Sequence, residues 1–237
     1  MDEHRLPYAR DMNTIARDAR TATGRTKSSG LALVAVARLV LAALILASVV
    51  ATFVDVAGRA AINPFNFFGY FTIQSNILMG VVWAWVGVAG LARRPLPPAA
   101  DDARGITTTY VAIVGIVYAL LLAPLGAAGG VPLPWANVVL HIVVPIAACL
   151  DWIVVADRTA LRWRRLPLVL IYPLVWLGVV LVRGATDGWV PYPFLHPDLG
   201  YGTISLTVLT IAAATVAVGA AVFALSRVTL WGRRLRR

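Results

Sequence analysis

The chain has 237 residues, 59% of them hydrophobic and only 14% charged, with a mean hydropathy of +0.79. The apolar residues fall in long blocks rather than at amphipathic spacing, which excludes an ordinary soluble domain and predicts an all-α polytopic membrane protein. A formal net charge of +10 would suggest nucleic acid in a soluble chain. In a membrane chain, topology and attraction to anionic headgroups account for it, so membrane lipids are the expected partner and nucleic acid is not.

Residues 1–30 read as a basic, polar N-terminal tail rich in Thr, Ser, Arg and Ala. Six apolar blocks follow: Leu31–Val54, Phe68–Leu91, Gly105–Ala123, Asn137–Val155, Leu166–Val182 and Thr203–Leu225. Each is long enough to cross a bilayer, which takes about 20 residues at about 1.5 Å rise per residue. The first block is too long for a signal-peptide core and is expected to remain as a helix. Residues 31–226 thus form one transmembrane domain, and 227–237 form a basic C-terminal tail. No separate soluble domain fits. Cys149 lies mid-helix, so neither a disulfide framework nor thiol chemistry is implied.

The short loops Ala92–Arg104 and Ala156–Arg165 are basic, as are both tails. Eighteen of the 21 Lys and Arg residues fall on that side, against Arg59 and Arg183 on the other and Arg38 within the first helix. Excess positive charge stays in the cytoplasm, so both termini are predicted to be cytoplasmic in a cell membrane. The opposite loops carry aromatics, including Phe65, Phe67, Trp135 and the run Trp189-Val190-Pro191-Tyr192-Pro193-Phe194. These fit either an interfacial belt or the mouth of a cavity for a lipid-like ligand. Pro145 and Pro173 should kink the fourth and fifth helices, since each removes a backbone hydrogen bond.

Polar residues inside the spans carry the chemistry. Thr72 lies about 6 Å below the outer start of the second helix, and His141 about 6 Å below that of the fourth. The two side chains can touch if these helices are neighbours. A hydroxyl beside an imidazole is the raw material of nucleophilic catalysis. Thr72, Ser75 and Asn76, at i, i+3 and i+4, share a face, while Gln74 points elsewhere. Ser75 is a rival nucleophile, and Ser75, Asn76, Gln74 or backbone amides are candidate oxyanion donors. The structural alternative is that these groups bond their own helix or bridge to a neighbour.

Near the cytoplasmic side, Arg38 and Asp151 are predicted to pair, because an unpaired charge there costs several kcal/mol. An ion pair fixing helix register is the simpler reading, with a proton relay as the alternative. The three histidines, His4, His141 and His196, have no ligand-like spacing, so no metal or other cofactor is expected.

The run Phe68-Gly69-Tyr70-Phe71-Thr72-Ile73-Gln74-Ser75-Asn76-Ile77-Leu78 resembles the signature of the androgen-induced-protein-like membrane family, which includes the androgen-dependent TFPI-regulating protein. His141 with Pro145 and Asp151, then Tyr192-Pro193-Phe194-Leu195 ahead of Gly200-Tyr201-Gly202, extends the likeness over residues 35–225. The Ala, Arg and Val usage has a prokaryotic character. The resemblance implies a multi-pass hydrolase of fatty-acid esters, with Thr72 matching the family's nucleophile and His141 its histidine. Two functions follow as expectations: a Thr/His-dependent hydrolase acting on a lipid or fatty-acyl ester, or a non-catalytic lipid-binding or scaffold protein.

Overall fold

In hydrocarbon every backbone N–H and C=O must find its partner within the segment, so long apolar blocks become helices. The computed structural model describes the backbone of residues 7–59, 61–155 and 157–228, with side chains from residue 30 onward except 127 and 128. Arg5 and the C-terminal Arg233, Arg234, Arg236 and Arg237 lie outside the described residues. Six helices are long and apolar enough to cross a membrane, and no strand occurs among the described residues.

In chain order these are α1 (Pro7–Arg59), whose apolar part begins at Gly30, α3 (Phe71–Leu91) and α4 (Pro98–Val117). The fourth crossing combines α5 (Pro134–Val138), a π-helical turn (Val139–Val143) and α6 (Val144–Val154). The last two are α7 (Leu168–Thr186) and α8 (Tyr201–Leu225). A single-turn helix, α2 (Pro64–Phe67), precedes α3. Most ends fall within a few residues of expectation. The third crossing starts earlier than predicted, at Pro98, because Asp101, Asp102 and Arg104 are helical despite their charge. The tail expected to precede α1 continues its helix from Pro7.

The helix α4 sits centrally and packs against α3, α6, α7 and α8, with every residue from Thr107 to Val114 buried. On one side α1 lies along α3, and a core of Ile45, Val49, Met79, Trp83, Val111 and Leu140 fills the seam. Small residues allow the close approaches that membrane helices use in place of a hydrophobic drive. At Gly115 an added Cβ would stand 3.0 Å from the Pro145 ring, so α4 and α6 meet there backbone to ring. At Gly69 an added Cβ would meet the Trp189 ring at 2.5 Å, which fixes the 187–200 connection over the start of α3.

Candidate active site

The first turn of α3 presents Thr72. A helix start leaves its first N–H groups without intrahelical partners, and Tyr70, which precedes α3, supplies no side-chain cap. The backbone N–H of Thr72 instead donates to the phenol oxygen of Tyr192, at 3.2 Å, from the loop ahead of α8. The Thr72 hydroxyl lies 3.4 Å from the same phenol and 3.3 Å from Nε2 of His141. All three side chains are buried.

His141 owes its position to Pro145. Proline has no N–H to give the carbonyl four residues back, which is that of His141, and the chain relaxes into the wide turn Val139–Val143. From this turn Nδ1 of His141 lies 3.2 Å from the carbonyl oxygen of Asn137. A carbonyl only accepts, so Nδ1 carries the proton and Nε2 of the neutral ring aims a lone pair at the Thr72 hydroxyl. The ring stacks on Tyr118, with centroids 4.2 Å apart at 22°. Tyr118 belongs to a second π-helical turn, Tyr118–Leu122, and its hydroxyl accepts from the Asn137 amide at 2.6 Å. The imidazole is therefore held by a face contact and by one ring nitrogen, leaving the other free for chemistry.

The remaining candidates on α3 have other work. Asn76 donates to the carbonyl oxygens of Thr72 (2.9 Å) and Leu140 (3.2 Å), tying α3 to the wide turn that bears His141. Both its N–H groups are spent, which removes it as an oxyanion donor. Gln74 donates to the Phe68 carbonyl and accepts from the Tyr172 hydroxyl at 2.7 Å, away from Thr72. Ser75 is buried on the Thr72 face but hydrogen-bonds neither Thr72 nor His141. It is not the hydroxyl paired with the histidine.

Two cavities meet at Thr72. One, of about 390 Å³, is lined by Thr72, His141 and Tyr192 together with the connections around Asn63, Gly130 and Pro191. The other, of about 100 Å³, is almost wholly apolar and runs between α4, α7 and α8 past Phe71, Val117, Trp176 and Val208. Thr72, Leu122 and Tyr192 form their common wall. The aromatics at this end of the helices therefore divide. Phe65, Trp135 and Tyr201 are exposed as a belt would be, whereas Tyr192 is buried in the site.

At the opposite end, Arg38 donates to Asp151 at 2.8 and 3.0 Å and to Asp157 at 2.6 Å. Arg104 joins from α4, donating to Asp157 at 2.8 Å and reaching Asp151 at 3.4 Å. Trp83 of α3 donates its indole N–H to Asp151 at 3.4 Å. The expected ion pair is thus half of a two-by-two network. Burial alone would raise the Asp157 carboxyl, but the guanidinium groups of Arg104 and Arg38 outweigh it and hold the carboxyl well below the usual range. Arg158, read from sequence as a loop charge, is buried as well, stacked over Trp152 and donating to the carbonyls of Val155 and Leu225.

Tyr192, Asp157 and Arg104 were missed as site or network members. Tyr192 lay within a run of aromatics that an interfacial belt explains equally well. Pro98, at the first helical position, is the signal that would have brought Arg104 inside the helix. Among the described residues no group of three or more His, Cys, Asp or Glu could hold a metal ion, and His196 is exposed beside Asp198. No family model, no curated protein and no solved structure matches the chain.

Proposed function

We propose that this protein is an intramembrane hydrolase of fatty-acyl esters, with Thr72 as nucleophile and His141 as general base. The observation that carries the reading is the pair of contacts made by the two ring nitrogens of His141. The carbonyl of Asn137 commits the Nδ1 proton of His141, so the bare Nε2 faces the Thr72 hydroxyl at 3.3 Å. A neutral base so oriented can take the hydroxyl proton as oxygen attacks an acyl carbonyl. It then returns that proton to the leaving alcohol. Water, activated by the same nitrogen, releases the acid from the threonine ester.

The apolar cavity between α4, α7 and α8 supports an acyl chain as the group delivered to Thr72. The second cavity, lined by His141, the loop residues Asn63 and Gly130 and Asn66 of α2, suits the alcohol portion and water. The likeness to the androgen-induced-protein-like family points the same way. By the charge asymmetry of the loops, this end faces the non-cytoplasmic side of a cell membrane.

The test is turnover of a panel of p-nitrophenyl acyl esters by purified protein in lipid nanodiscs, together with labelling by a fluorophosphonate probe. Wild type should turn over and label, while Thr72→Ala and His141→Ala should do neither. A lipid-binding or scaffold protein would give no turnover in any form. Labelling that survives Thr72→Ala but disappears in Ser75→Ala would move the nucleophile to Ser75.

A further inference from the structure

We propose that Tyr192 is the oxyanion donor of this site, its phenol O–H stabilising the negative oxygen that forms when Thr72 attacks an acyl carbonyl; the inference rests on the hydrolase reading. A hydroxyl has one proton to give and lone pairs to receive. Here the Thr72 N–H occupies a lone pair of the phenol oxygen at 3.2 Å. The phenol proton is therefore directed elsewhere, and the Thr72 hydroxyl oxygen at 3.4 Å is the nearest acceptor with a hydrogen-bond contact to it. Once Thr72 has given its own proton to His141, its oxygen can accept that bond. When the oxygen joins carbon, the charge moves to an atom two bonds away, and the phenol shifts its bond to that atom.

The step balances without any further reactant. The Thr72 Oγ1–carbon bond forms, the carbonyl π pair moves onto oxygen, and the Thr72 proton passes to Nε2 of His141. Tyr192 keeps its proton throughout. On collapse the carbonyl re-forms, the ester C–O bond breaks, and the alcohol leaves with the proton from His141.

Three further features fit the assignment. The two side-chain amide candidates are engaged: both N–H groups of Asn76 go to carbonyls, and Gln74 faces Tyr172; the Ser75 hydroxyl is buried without a hydrogen bond to Thr72 or Tyr192. The Tyr192 ring is fixed by Phe194 stacked at 5.1 Å and by Tyr70 and Trp176 at 5.7 and 5.8 Å, the preorganisation that such a donor requires. Tyr192 also lines both cavities, so any acyl group spanning them passes its phenol. Burial pushes the phenol up to about 12, so it remains a donor at neutral pH.

The experiment measures p-nitrophenyl octanoate hydrolysis and the fluorophosphonate labelling rate for wild type and Tyr192→Phe in nanodiscs. The expected result is a loss of about 10²–10³-fold in kcat with KM changed little, as for removal of one oxyanion donor. Affinity for a trifluoromethyl ketone carrying the same chain should fall in parallel, while affinity for the unreactive amide should not. A structural role for Tyr192 would change KM or the folded yield without separating the ketone from the amide. If Tyr192→Phe does not fold, ring-difluorinated tyrosine at 192 keeps the phenol and makes it a stronger donor. It should raise kcat severalfold, and an unchanged or lower kcat overturns the proposal. Wild-type activity that depends on Thr72 and His141 but not on the Tyr192 hydroxyl defeats this inference alone. An inert, unlabelled wild type defeats the hydrolase reading itself.

Discussion

The two polar regions of this molecule lie at opposite ends of the same helices and are built on opposite lines. Thr72 and the Asp151-bound Trp83 are about 16 Å apart along α3, and His141 and Asp151 about 15 Å apart along the fourth crossing. Around Asp151 and Asp157, charges meet charges through several bonds, most between 2.6 and 3.2 Å. Around Thr72, neutral groups approach at 3.2–3.4 Å beside two cavities. Buried charges demand that kind of satisfaction because an uncompensated one is costly. Neutral groups held slightly apart, with open space next to them, can exchange protons and admit a substrate. The difference separates a polar cluster that holds helices together from one that is free to react.

Mutations should break the two regions in different currencies. The largest effect is expected for Thr72→Ala or His141→Ala: ester turnover should drop by about 10³-fold or more, while thermal unfolding in detergent moves by about 1 kcal/mol or less. Asp151→Ala or Asp157→Ala should do the reverse. Each leaves two buried guanidinium groups sharing one carboxylate and should cost about 3–5 kcal/mol of stability, leaving turnover per folded molecule near wild type. A variant of the ionic cluster that loses catalysis without losing stability would show that the two ends are coupled.

Asn76→Ala tests the join between the two halves of the Thr72 site, since its amide ties Thr72 to the turn carrying His141. Losing both amide bonds should cost about 1–3 kcal/mol, with an accompanying drop in turnover as nucleophile and base drift apart. The pH response sharpens the contrast further. Asp157 is held below the ordinary carboxylate value, so its contribution is present above that value and is lost only as pH falls through the lowered one. The stability gap between wild type and Asp157→Asn should therefore be flat between about pH 5 and 8. The smallest effect is expected at Arg183, which donates to Asn66 and Asp187 and stacks 4.2 Å over Trp189. Arg183→Ala should change stability by about 1 kcal/mol or less.

Hydropathy made the six crossings legible, because hydrocarbon leaves a chain few alternatives to helix. The equal depth of Thr72 and His141 was legible too, since rise per residue converts sequence position into depth. What could not be read was anything supplied by loops. Tyr192 reaches the site from a connection whose path is set by the packing of Trp189 on Gly69, a contact between residues 120 apart in sequence. Asp157 looks like an ordinary solvated loop carboxylate until Arg38 and Arg104 converge on it. Arg104 was hidden by its neighbours: Asp101 and Asp102 lowered the local hydropathy and pushed the apparent start of the helix past it. The wide turn at Val139–Val143 depends on Pro145, which sequence does mark, but its outcome, a freely presented Nε2, follows from geometry alone.

The most direct test is to identify the atom that an acyl-like electrophile captures. Purified wild-type protein labelled with a fluorophosphonate, digested and mapped by mass spectrometry should carry the phosphonyl group on Thr72, and labelling should vanish in His141→Ala. An adduct on Ser75, or none under conditions that label a control hydrolase, would contradict Thr72 as the nucleophile of an ester-cleaving site.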